Sequence, residues 1–101
     1  MTVYEHRATV QAAAGSVTSS SLKIPGGLVK HMVIRSNTDT TVFRAAIVDA
    51  NSFTRVNFGF HTGELNDMDI SMPVAGMLDV QITNASPNNE TFNVFMAVQE
   101  D

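Results

Sequence analysis

Three histidines, His6, His31 and His61, are the residues of this chain best suited to acid–base or metal chemistry. They do not fall at ligand spacing. No HxH or HExxH pattern joins any two of them, so neither a zinc site nor a paired imidazole base is indicated. The densest group of oxygen ligands is Glu64-Leu65-Asn66-Asp67-Met68-Asp69. Asp67 and Asp69 share one face if that segment is extended. A calcium site needs roughly six to eight converging oxygens, and the glycine-turned loop of an EF-hand is missing. The segment reads as a solvated acidic loop. Serines are numerous, yet no GxSxG elbow presents one as a nucleophile. Gly26-Gly27 lacks the following Lys-Ser/Thr of a phosphate loop and reads as a turn. The chain has no cysteine, which excludes thiolate chemistry and disulfides. No catalytic residue, metal or cofactor is expected, and the chain does not read as an enzyme.

The remaining polar chemistry is that of a surface. Charged residues are 16% of the 101, well below the roughly 25% of an ordinary domain. Hydroxyls and amides must therefore cover much of the exterior, which suits a β protein in contact with other protein. All six basic residues lie at or before Arg55, and only acids follow. Such segregation places opposite potentials on neighbouring subunits if it survives folding. The basic residues neither cluster nor interleave with aromatics, so nucleic acid is not an expected partner. No apolar run approaches the roughly 20 residues of a bilayer span, so no membrane is expected. The segment MTVYEHRATV carries no signal-peptide pattern, so the expectation is a chain made in a cytoplasm.

Turn signals recur along the chain at the spacing of an all-β domain. Strands are expected over 2–11, 17–24, 28–36, 41–48, 53–60, 77–83 and 91–99, with an irregular acidic stretch from Leu65 to Val74. Leu78, Val80 and Ile82 alternate with Asp79, Gln81 and Thr83. Phe92, Val94, Met96 and Val98 alternate with polar residues, and Phe95 interrupts the polar face. Pro25-Gly26-Gly27 separates the second and third strands as a turn. Leu28–Ser36 and Thr41–Val48 are apolar on both faces, which marks central strands. Counting the acidic stretch, the reading is a single domain over 1–101: a two-sheet β-sandwich of about eight strands, of jelly-roll or Greek-key type.

In a sandwich only one face of each sheet meets the core. The surplus apolar residues therefore suggest a protein–protein surface. Leu28, Val29, Met32, Val33, Val42 and Phe43 are the candidates for it.

The segments TVYEHRATV, IPGGLVKHMVIRS, FRAAIVDAN, PVAGMLDVQITNAS and TFNVFMAVQ together resemble the small decoration, cement or head-auxiliary proteins of tailed bacteriophages. The resemblance is one of layout and spans most of the chain. It implies an all-β virion protein on the capsid exterior, bound to the major capsid protein, often as a homotrimer, and stabilising the shell. It also implies a contact arm, here residues 1–7, with Tyr4, His6 and Arg7 touching the capsid. The alternative expectation is a carbohydrate- or receptor-binding module of a phage fibre or tail.

Overall fold

The computed structural model describes residues 2–100, apart from the side chains of Thr2 and Pro25. The fold is all-β, as expected. Seven strands follow in order: β1 (Thr2–Ala12), β2 (Val17–Ser36), β3 (Val42–Asp49), β4 (Thr54–Thr62), β5 (Glu64–Asp67), β6 (Met72–Asn84) and β7 (Glu90–Glu100). Every pairing is antiparallel. They form one hydrogen-bonded sheet in the order β1-β7-β2-β6-β3-β4, with β5 on the side of β2. The expected pair of separate sheets is thus one sheet that folds over on itself. Phe43 of β3 and Phe92 of β7 are far apart in that order, yet their rings meet at 5.1 Å.

The fold line runs through β2, at the segment expected to be a turn. Ile24 pairs with Gly76 and Gly27 with Val74, so β2 carries one residue more than β6 between those points. That is a β-bulge, which bends a strand without ending it and lets it pass from one layer to the other. Residues 17–24 and 27–29 pair with β6, and residues 27–36 apart from Lys30 pair with β7. Pro25 brings no N–H to the ladder, which a bulge tolerates and a central pairing does not. Gly27 has φ 156°, and a Cβ there would strike the carbonyl oxygen of Gln99. Only glycine lets β7 cross the strand so closely.

A second irregularity explains why β2 looks apolar on both faces. Val29 pairs with Val98 and His31 with Ala97, so Lys30 is an extra residue. One inserted residue reverses the alternation of everything after it. Val29, Met32 and Ile34 consequently all point into the core, each with no exposed surface. His31, Val33 and Arg35 point out, in register with Ala97, Phe95 and Asn93.

The core gathers Val10 of β1, Ile24, Val29, Met32 and Ile34 of β2, and Phe43, Ala45 and Ile47 of β3. Ala12 of β1, Leu65 of β5, Val74, Leu78, Val80 and Ile82 of β6, and Phe92, Val94, Met96 and Val98 of β7 complete it. The alternation read from β6 and β7 is the alternation observed. The acidic stretch departs from expectation. Its first part is the short strand β5, paired with β2 from Met32 to Arg35 and anchored by buried Leu65. In β4, Phe58 is an extra residue between Gly59 and Asn57, opposite Ala45 and Ala46. Phe60 is thereby turned outward and is exposed, instead of sharing a buried face with Val56 and Phe58.

Val29, Met32 and Phe43 are corrected here from contact residues to core residues. Their side chains are fully enclosed by this chain alone, so they offer nothing to a partner. Leu28, Val33 and Val42 keep partial exposure. Half of the apolar residues expected to join copies into a homotrimer are thus unable to do so.

Candidate functional site

The layer made by β1, β7, the second half of β2 and β5 carries an outward face built from cross-strand rows. Arg7 lies opposite Phe95, which lies opposite Val33, which lies opposite Asn66. In the next row Thr9 faces Asn93, Asn93 faces Arg35, and Arg35 faces Glu64. Alternation puts all of these on one surface. They enclose a groove of about 500 Å³, lined by the side chains of Arg7, Thr9, Val33, Arg35, Asn93 and Phe95.

Phe95 is the centre of this face. The residue that interrupts the polar pattern of β7 is half-buried among partners on both neighbouring strands. The Arg7 guanidinium lies 5.5 Å from its ring centre. The His31 ring meets it edge-on at 5.7 Å. A cation over an aromatic face and a T-shaped ring pair are both attractive arrangements. His31 Nε2 donates to Asn66 Oδ1 at 2.8 Å, which ties β2 to β5 on the same surface.

Two ion pairs flank the groove. Arg7 Nη2 donates to Glu5 Oε2 at 3.0 Å, two residues along β1. Arg35 Nη2 donates to Glu64 Oε1 at 2.8 Å, across to β5. The hydrogen bond that Arg35 donates to Glu64, and the negative charge of that carboxylate, push the Arg35 guanidinium further above its ordinary range, so it stays charged. Thr9 Oγ1 donates to Asn93 Oδ1 at 3.2 Å. That fixes the Asn93 amide so that Nδ2 remains a donor, with no protein partner among the described residues.

The other expected residues fall elsewhere. Thr2 to Arg7 are the first half of β1, paired with β7 from Glu100 to Phe95, and Met1 lies outside the described residues. Tyr4 and His6 are on the face of β1 opposite to Arg7. Tyr4 is half-exposed, while His6 Nε2 donates to Glu100 Oε2 at 3.0 Å. Arg7 therefore joins Val33 in the groove, and Tyr4 and His6 do not. Leu28 is opposite Gln99 at the far end of the same surface. Val42 belongs to the outer surface of the other layer.

Asp67 and Asp69 do not converge as ligands. Asp67 Oδ1 accepts the backbone N–H of Asp69 at 3.0 Å, an Asx turn. Among the described residues no three His, Cys, Asp or Glu side chains gather as for a metal. His61 Nε2 donates to the carbonyl of Phe58 at 3.0 Å. The three histidines thus bond a carboxylate, an amide and a backbone carbonyl, and none is paired with a hydroxyl nucleophile. The Phe95 groove was partly visible in the sequence, as an aromatic out of phase. Arg7 was named only as a residue of the contact arm and Arg35 not at all, because 88 and 60 positions separate them from Phe95.

No protein-family model and no curated protein matches the sequence. The fold is similar to that of the periplasmic lysozyme inhibitor PliG of Aeromonas hydrophila, an inhibitor of g-type lysozyme. The TM-score is 0.59 and the identity 9%, over 94% of this chain and 86% of that one. At that identity the likeness establishes the all-β fold alone. The expectation of a capsid-decoration role is corrected with it: the solved protein that shares this fold is an inhibitor of g-type lysozyme, not a capsid protein.

Proposed function

We propose that this chain is a non-enzymatic protein-binding module whose contact surface is the Phe95 face. The observation that carries this reading is the Phe95 ring itself, held half-buried between Arg7, His31 and Val33 on three paired strands. Aromatic and arginine side chains in a rigid setting are the residue types that dominate binding energy at protein interfaces. They lie on strands, so little freedom is lost when a partner docks.

The fold shared with an inhibitor of g-type lysozyme makes that enzyme the first partner to test. Lysis of bacterial cell walls by a g-type lysozyme is followed with increasing amounts of the chain and of its Phe95→Asp variant. Saturable inhibition by the chain, lost in the variant while its melting temperature is kept, is the expected result. Unchanged lysis removes lysozyme as the partner. Inhibition that survives the substitution removes this face as the contact.

A further inference from the structure

We infer that the Phe95 groove takes an acidic side chain of a bound polypeptide, its carboxylate held between the Arg7 and Arg35 guanidiniums. This rests on the protein-binding reading of the same face and names the chemistry it selects. The chain as a whole has a formal charge of −4. The charged residues that line the groove are nevertheless both arginines, and no acid lines it. Glu5, Glu64 and Asp39 stand beside these arginines, so what the groove offers an anionic group is not a net positive field but guanidinium N–H donors that its own acids leave unused.

The two glutamates that neutralise these arginines stand at its margins. Glu5 is on edge strand β1 and Glu64 on β5. Each takes one hydrogen bond from a single Nη2, and a guanidinium has five N–H donors. Donors are therefore left over on both sides. The glutamates and the Phe95 ring also restrain the guanidiniums, so that less rotamer freedom is lost on binding. Planar forks of this kind match a carboxylate in two-point fashion. Asn93 Nδ2, oriented by Thr9, adds a neutral donor between them. Val33 and Phe95 supply an apolar floor that displaces water and strengthens the charge contact.

The test is a titration of the isotopically labelled full chain, watched by amide chemical shifts. The probes are acetyl-Glu-Phe-Glu-amide and the two peptides in which Gln or Lys replaces both Glu residues. Saturable shifts are expected at the Asn93 side-chain amide and at the Val33 and Phe95 backbone amides with the Glu peptide. Affinity should fall about fivefold or more on replacing Glu by Gln, or on raising salt from about 30 to about 300 mM. Arg35→Gln and Arg7→Gln, both at exposed side chains, should each weaken the Glu peptide by about the same factor with an unchanged melting temperature. Equal binding of the Gln peptide, or tighter binding of the Lys peptide, overturns the carboxylate assignment and leaves the face a protein-binding surface. No shift at the groove with any of the three peptides overturns both readings.

Discussion

β2 is one strand with two unlike halves. Residues 17–24 (VTSSSLKI) alternate between exposed and half-buried positions, and only Ile24 is fully buried. Their ladder runs on one side, to β6. Residues 27–36 (GLVKHMVIRS) have β7 on one side and, on the other, β6 from Gly27 to Val29 and β5 from Met32 to Arg35. This half buries Val29, Met32 and Ile34 inward and carries His31, Val33 and Arg35 outward into the functional face. The difference teaches what apolar density along a strand means here. It tracks how many neighbours flank the backbone and where bulges shift the phase. The first half is an edge, and its Ser, Thr and Lys residues discourage a further strand from pairing.

Substitutions can break this contrast, beginning with the hinge between the halves. Gly27→Ala would drive a methyl into the Gln99 backbone at a φ that favours glycine, and is expected to cost about 3 kcal/mol or more. Gly26→Ala is the control: its Cβ would meet nothing within 4 Å, and the loss should be smaller. Urea unfolding of both variants checks the difference. Equal losses would show that β7 does not depend on close approach at Gly27.

The next effect compares equivalent truncations in the two halves. Met32→Ala, from a fully buried position, should lose about 3 kcal/mol. Leu22→Ala, packed against the core but only half-buried, should lose about 1 kcal/mol. Thermal unfolding of the pair reads this, and reversal of the order would mean that the first half is the more tightly packed. Val33→Lys sharpens the distinction between core and face. It should change stability by no more than about 1 kcal/mol while abolishing binding at the groove, as read by calorimetric titration with the partner. The smallest effect is expected at the exposed edge, where Ser21 Oγ donates to Asp79 Oδ1. Ser21→Ala should shift stability by about 0.5 kcal/mol or less, measurable as a change in urea midpoint.

Much of the fold was legible because alternation is a local signal. Phe92 to Val98 and Leu78 to Ile82 read as strands with one buried face and are so placed. The failures cluster where one residue was inserted. Pro25-Gly26-Gly27 has the composition of a turn, and nothing local distinguishes a chain reversal from a bulge inside a longer strand. Lys30 and Phe58 are silent in the same way, since a bulged residue needs no special type. Each bulge shifts the phase of its strand, so alternation alone splits Val29 and Met32 between two faces, where both are buried, and turns Phe60 inward, where it is exposed. The site was less legible still. Phe95 stood out as an apolar residue on a polar face, while Arg7, Val33 and Arg35 became its neighbours only through pairing across three strands.

By itself the sequence determined the class of the molecule and the limits of its chemistry. Alternating apolar residues and frequent turn signals demand a sheet with one buried face, and a chain without cysteine builds its core from apolar packing alone. Tertiary structure decided how that sheet closes. The bulge at Gly27 sends β2 through both layers, and Lys30 chooses which side chains leave the core. The pairing of β1, β7, β2 and β5 then assembles one arginine-framed groove from distant parts of the chain. The physical reason is that side-chain direction is set by local backbone geometry, whereas register depends on contacts between segments far apart in the chain.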